Sequence, residues 1–324
     1  MKQTQKILVT GSSGFIGSNL IGELLQKGYT VYAISREKQN AKLFAAFSEY
    51  RPVTGRFYDP ALLNNLKDET IDAVIHLAAI RGESPRPTSE YQQVNVAGTE
   101  AMLQFARKNN IPKFIFVSTV GVLGTIPKRQ PAKADAPPNP DNKYHRSKWQ
   151  AEQLVRRYHS RELQTLILRP TITYGPGDNG FIPKMIRMIK NKRFFYPAKP
   201  VNIHLLSVRA LSVLLARVAA MKSLNGETYL VADRSPVPLR VLVDFISQQC
   251  SGKNYPAVFR WPDFTFQLGQ KMLTLVGNHQ LVTSLRLISA DWTYDISETI
   301  RQLDYRPLDT LSEMHEIFDQ LDCL

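Results

Sequence analysis

Three groups of residues in this 324-residue sequence could do chemistry together. The first is Gly11-Ser12-Ser13-Gly14-Phe15-Ile16-Gly17, which follows the apolar run Lys6–Thr10 and opens an amphipathic pattern over 15–27. Glycines at a strand-to-helix turn let the backbone turn tightly and approach a pyrophosphate, which then rests on the positive end of the helix. The spacing is G-x-x-G-x-x-G rather than G-x-G-x-x-G, and a flexible turn with no ligand is its competing reading. The second group is Tyr144 with Lys148, four residues apart and so on one face of a helix predicted over 144–162. A phenol near pKa 10 is a poor acid–base catalyst at neutral pH, and an ammonium beside it, with an oxidised nicotinamide nearby, would stabilise the phenolate. Such a pair also recurs by chance on many helices. The third is Thr119, just past the predicted strand Lys113–Ser118, where open sheets place their ligands. Its hydroxyl could bond a substrate oxygen, and Ser118, facing the opposite way, is the second choice.

The elements that must position these groups alternate along the chain. Unbroken β-branched runs predict strands at Lys6–Thr10, Thr30–Ser35, Arg51–Phe57, Ala73–Leu77, Lys113–Ser118 and Thr165–Arg169. Helical patterns lie near 15–27, 38–47, 60–68, 89–109 and 144–162. The alternation predicts an α/β fold, a doubly wound parallel (Rossmann) sheet covered on both faces. Five prolines make 124–142 a loop. Beyond Pro170 the alternation loosens into helices near 181–190, 209–222, 238–250 and 310–321 and a strand near 202–207. A smaller C-terminal α/β substrate domain is expected, with 1–170 and 202–232 forming the NAD(P)-binding domain and 171–201 and 233–324 the substrate-binding domain.

The ribose end of a dinucleotide would meet Ser35-Arg36, where an acid would select NAD. Arginine pairs with a 2′-phosphate and favours NADP, with NAD possible and a solvated strand end as the bland alternative.

Further motifs run in order: Asp72-Ala73-Val74-Ile75-His76-Leu77-Ala78-Ala79, Asn95-Val96-Ala97-Gly98-Thr99, Ser118-Thr119 through Val122-Leu123-Gly124, Leu168-Arg169-Pro170 through Tyr174-Gly175-Pro176-Gly177, and Tyr294-Asp295-Ile296-Ser297 to Leu303-Asp304-Tyr305-Arg306-Pro307. With the glycine turn and Tyr144-x-x-x-Lys148, the chain resembles the extended short-chain dehydrogenase/reductase family, of the NAD-dependent epimerase and dehydratase type. The resemblance implies an enzyme with Thr119, Tyr144 and Lys148 as its catalytic residues, Thr119 lying 25 residues before Tyr144. It implies a cofactor site of Gly11, Ser13, Gly14, Phe15, Ile16, Gly17, Arg36, Phe57, Leu77, Ala78, Ala79 and Pro170 with Tyr144 and Lys148, Lys148 holding ribose hydroxyls. It also implies a homodimer through helices 89–109 and 144–162, with Trp149 and Leu154 on the exposed face of the latter. His76 reads as a structural strand-end histidine, Asn95 as either an orderer of the site or a buried cap, and no cluster suggests a metal.

Two departures bear on the substrate. Arg56 replaces the acid that relatives often carry after Gly55, and Ile172 stands where sugar-nucleotide epimerases usually have asparagine. Arg56 reads as a second 2′-phosphate ligand or a solvent-facing residue, whereas Arg36 and Ile172 favour a reductase or dehydrogenase acting at a secondary alcohol or ketone carbon, with a nucleotide-sugar epimerase or dehydratase and a non-catalytic scaffold as alternatives.

The charge suggests an anionic partner. Net charge is +13, with nine cations and no acid between Asp178 and Glu227, and nine acids in 291–324. Lys184, Arg187 and Lys190 share one helix face, readable as a solvated face, as a funnel for an anionic small-molecule substrate, or as a membrane-surface helix aided by Phe194-Phe195-Tyr196. No nucleic-acid-binding motif is present, so nucleic acid is not expected. Two cysteines, no leader-like segment and arginines interrupting 205–221 predict a cytoplasmic protein.

Overall fold

Ile7 and Val9 pack into one apolar cluster and Leu8 into another, so the first strand is buried on both faces and can only be central. In the computed structural model, which describes residues 4–36, 43–82 and 86–321, seven strands form one parallel sheet. They are β1 (Lys6–Thr10), β2 (Thr30–Ser35), β3 (Tyr50–Thr54), β4 (Ala73–His76), β5 (Lys113–Val117), β6 (Gln164–Pro170) and β7 (Thr228–Val231). Their order is β7-β6-β5-β4-β1-β2-β3, with Val9 paired to Ala33 on one side and to Ile75 on the other. The fold is the doubly wound α/β sheet that the alternation predicts.

The helices used below are α1 (Phe15–Gln26), α2 (Gly98–Lys108), α3 (Lys143–Tyr158), α4 (Phe181–Lys190), α5 (Val208–Ala220), α6 (Leu239–Ser251), α7 (Asp263–Leu275), α8 (His279–Ser289) and α9 (Thr310–Leu321). The clusters on the two sheet faces draw on α1 and α5 on one side and on α2 and α3 on the other. Short paired strands join the region beyond Pro170: Leu206–Ser207 to Thr173–Tyr174, Val237–Pro238 to Asn202–Ile203, and Arg260–Trp261 to Tyr196–Pro197.

Several expectations are corrected. The strand predicted over 51–57 spans Tyr50–Thr54, and the helix over 60–68 is only Pro60–Asn64. Residues 38–42 of the helix predicted over 38–47 lie outside the described residues, and 43–46 form turns. The strand predicted over 202–207 splits, because His204 turns inward to the Asp233 carbonyl at 2.8 Å. The helix over 89–109 contains a six-residue π-helical segment, Gln92–Ala97. Leu154 is buried in the core rather than exposed, and Trp149 is half-buried beneath Arg156. β7, α7 and α8 were not anticipated. The membrane-surface reading of α4 fails, because Ile182, Met185, Ile186 and Ile189 are buried in the core, with Phe194 and Tyr196. No helix among the described residues is long and apolar enough to cross a membrane.

Candidate active site

Strand order reverses at β1, whose neighbours β2 and β4 lead to opposite edges, and a cleft opens there at the carboxyl ends of the strands. The glycine turn forms its floor. Gly11 has φ of 72°, and a Cβ on it would lie 2.8 Å from the Ala78 nitrogen, so only glycine lets this turn pass so close to the end of β4. A Cβ on Gly17 would lie 2.2 Å from the Gly11 carbonyl oxygen. Gly14 caps α1 without a side-chain hydrogen bond, and the first turn holds no acid. The positive helix end is thus left to an anion, and the cradle fits a dinucleotide's diphosphate.

The cleft, about 1110 Å³, is lined by all fifteen residues singled out from sequence: the turn residues, Arg36, Phe57, Leu77-Ala78-Ala79, Thr119, Tyr144, Lys148 and Pro170. Arg36 and Arg56 stand exposed at the end near β2 and β3. Thr119, Tyr144 and Lys148 lie towards β5 and α3.

Asn142 starts α3, its Oδ1 accepting from the His145 N–H at 2.8 Å. This fixes the first turn and so the direction of Tyr144. Gly121 admits the His145 ring, since a Cβ there would lie 2.1 Å from Nε2. Lys148 is buried, with Nζ donating to the Val117 carbonyl at 2.7 Å and 3.9 Å from the centre of the Phe116 ring. Burial pushes its pKa down to about 7, partly offset by the carboxylate of Glu152 one turn along. Burial likewise pushes the Tyr144 phenol up to about 12, opposed by the Arg81 guanidinium. Spacing alone suggests that Lys148 lowers Tyr144, whereas in the fold desolvation dominates both groups. Thr119 adopts extended backbone, its Oγ1 accepting from the Gly121 N–H at 3.1 Å. The hydroxyl proton stays free for a substrate oxygen.

Residues 7–209 match the model of the NAD dependent epimerase/dehydratase family. The chain belongs to this family. A ketoreductase of Stigmatella aurantiaca acting on 4-hydroxy-2-methyl-3-oxo-4-farnesyl-3,4-dihydroquinoline-1-oxide is 31% identical over 72% of this chain and 70% of its own. A UDP-glucose 4-epimerase of Vibrio cholerae is 28% identical over 96% of this chain and 94% of its own. Among solved structures, a UDP-glucuronic acid 4-epimerase of Bacillus cereus in complex with NAD superimposes with a TM-score of 0.78, at 23% identity over 98% of each chain. That likeness shows the fold. Relatives named as epimerases, a dehydratase and reductases make the protein an enzyme of the epimerase/dehydratase family.

Around Thr119, Tyr144 and Lys148, neighbouring polar groups are spent on structure. His76 lies between Thr10 Oγ1 at 2.6 Å and Thr99 Oγ1 at 3.0 Å, and its complete burial keeps it neutral. Asn95, in the π-helical segment, accepts from the Ile80 N–H at 2.8 Å and donates to the Ile80 carbonyl at 2.9 Å and to Ser147 Oγ at 2.8 Å. It orders the chain beyond β4 against α3.

Sequence reasoning missed Arg81, Thr171 and Asp178, all of which line the cleft. Arg81 donates to Asn179 Oδ1 at 2.9 Å, bridging the loop after β4 to the loop before α4. Ser118 Oγ, Thr171 Oγ1 and Asp178 Oδ2 are buried with no hydrogen-bond partner among the described residues, donor capacity and acceptor capacity that a ligand could satisfy. The position of Arg81, immediately beyond the Leu77-Ala78-Ala79 strand end, was the available signal. The cationic funnel expected from 184–222 is displaced: none of those cations lines the cleft, and Arg81 and Arg86 do.

Proposed function

We propose that the protein is an NADP-dependent reductase or dehydrogenase acting at a secondary alcohol or ketone carbon of a small molecule. The observation that carries this reading is the convergence of Thr119, Tyr144 and Lys148 with the glycine turn on one cleft. The bound dinucleotide supplies or accepts the hydride. Backbone N–H groups of the turn and of α1 hold its diphosphate, and Lys148 holds its ribose hydroxyls. Arg36 and Arg56 offer guanidinium groups to a 2′-phosphate. Thr119 donates a hydrogen bond to the substrate oxygen, and Tyr144 gives or takes the proton there. A phenol held near 12 is fully protonated at neutral pH, which suits donation to a developing alkoxide, the reductive direction. Ile172 and Thr173, at the start of the part assigned to substrate (171–201 with 233–324), line the cleft.

A second reading, nucleotide-sugar epimerisation with retained NAD, is favoured by the nearly full-length match to the Vibrio cholerae epimerase and by Arg81 in the cleft. Thermal shift with NADP+, NAD+ and a panel of UDP- and dTDP-sugars separates the two. Ligand at about 100 times its Kd stabilises by about 2.7 kcal/mol. Stabilisation by NADP+ and by no sugar nucleotide, with NADPH consumed mole for mole with a ketone, supports the reductase. Stabilisation by a UDP-sugar with no net change in nicotinamide absorbance overturns it. In either reading, Tyr144→Phe is expected to lower kcat about 10²–10⁴-fold while cofactor affinity is kept. Unchanged turnover would remove Tyr144 from the chemistry.

A further inference from the structure

α7 and α8 form a helical hairpin that is tied to the body of the protein through α8, where Leu287 and Ile288 rest against the core, and that leaves α7 outermost. Gly269 lets the helices close on Leu285, and Gln270 Nε2 donates to Ser289 Oγ at 3.0 Å. Thirteen-residue α7 buries Phe266 alone. Its outer stripe is apolar and open: Phe264, Leu268, Met272 and Leu275 are 65%, 55%, 60% and 86% exposed. Val276 at the tip is 75% exposed, and Val258 and Trp261 extend the surface at the base. Apolar side chains scattered singly on a surface mean little, whereas a contiguous stripe with an apolar tip marks a contact surface.

Charge identifies what the stripe meets. Between Asp263 and Asp291 there is no acid, and Lys271 shares the outer face. The base of the hairpin is tied to the basic segment 192–199: Trp261 pairs with Pro197, its ring 4.1 Å from that of Phe195, and Arg260 donates to the Ala198 carbonyl. This brings exposed Lys192, Arg193 and Lys199 beside exposed Arg260. A partner made of the same chain would present this surface with a second apolar stripe rimmed by like charges. An anionic bilayer supplies an apolar interior and phosphates at one place.

We propose that the α7–α8 hairpin docks on an anionic lipid surface, with Leu275 and Val276 entering the acyl boundary and Lys192, Arg193, Lys199, Arg260 and Lys271 meeting headgroup phosphates. The membrane contact considered for α4 thus moves to a neighbouring element whose apolar face is free. This proposal does not depend on the reaction proposed above.

Co-sedimentation of the full-length protein with equimolar phosphatidylglycerol–phosphatidylcholine vesicles, against pure phosphatidylcholine, tests it. Binding to the anionic vesicles is expected, weakened about tenfold on neutral vesicles and between about 0.1 and 0.5 M NaCl. The double variant L275D/V276D is expected to lose about tenfold in partitioning with its melting temperature kept, since both positions are exposed, and K192E/R193E to lose binding to the anionic vesicles. Wild-type protein that stays in the supernatant, or an L275D/V276D variant that binds as before, overturns the proposal. So does an oligomer in sedimentation equilibrium that L275D/V276D dissociates while wild-type protein ignores vesicles, which would give the face to a second copy of the chain.

Discussion

Lys148 shows how burial changes what a side chain can do. A free lysine ionises near pKa 10.4, and in the fold burial takes Lys148 down to about 7. Between those values the unfolded chain binds a proton that the native protein does not, so this group makes stability rise with pH, by up to about 1.4 kcal/mol per pH unit. Below about pH 7 the native protein carries the buried ammonium and its full desolvation penalty. Lys148→Met removes the titration and keeps most of the volume. Relative to wild type, the variant is therefore expected to be most favoured near pH 6, with the difference shifting steadily against it towards pH 10, as read from urea denaturation across that range. A stability difference that stays flat with pH would contradict the assignment. The spacing of Tyr144 and Lys148 gave the shared helix face, but the sequence could not say that Lys148 Nζ is engaged by the Val117 carbonyl, nor that desolvation outweighs the attraction between ammonium and phenolate.

At the scale of elements, the position of α3 rests on a buried ion pair. Arg169, near the end of β6, meets Glu152 of α3 through Nε–Oε1 at 2.9 Å and Nη2–Oε2 at 2.7 Å, and both side chains are almost wholly buried. Arg169 also donates to the Ala134 carbonyl at 2.9 Å, tying in the proline-rich loop. Such a pair contributes little net stability against an apolar replacement, yet breaking one partner leaves a buried charge uncompensated. Glu152→Gln is thus expected to destabilise by about 3–5 kcal/mol, and a loss below about 1 kcal/mol in chemical denaturation would show that the guanidinium is satisfied otherwise. The motif Leu168-Arg169-Pro170 was legible in the sequence as a family signature, while its partner one helix away was not. The sheet strands were legible for a different reason: their both-faces-buried residues form unbroken apolar runs. β7 was not read from the sequence although β4, equally four residues long, was: its run Tyr229–Ala232 lies in the stretch beyond Pro170 where the alternation of strand and helix loosens. α7 escaped because Phe264, Leu268, Met272 and Leu275 lie on one face and Phe266 and Leu273 on the opposite one, which blurs a one-sided period.

In the whole molecule, charges that separate along the sequence partly meet in space. Arg209 pairs with Glu313 and Glu316, and Arg217 with Asp304, so acids of the C-terminal segment neutralise two cations of the basic 178–227 segment. Of the cations left exposed, Lys192, Arg193 and Lys199 lie in the segment tied to the base of the hairpin. That hairpin also buries little apolar surface: Phe266 and Val282 are its buried apolar side chains and Leu287 and Ile288 rest half-buried against the core, whereas every residue of β4 and β5 is buried. Local opening free energy follows buried contacts and protected backbone, so residues 263–289 should open independently of the sheet. In hydrogen exchange followed by mass spectrometry, their amides are expected to exchange at least about a hundredfold faster than those of β1, β4 and β5, a difference of about 2.7 kcal/mol in opening free energy. Equal protection in the hairpin and the central strands would mean that the hairpin is locked to the core more firmly than the contacts of Leu287 and Ile288 imply. The sheet that holds the glycine turn and Lys148 would then not be the most stable unit of the molecule, and the apolar stripe would have to be read as part of a larger packed body.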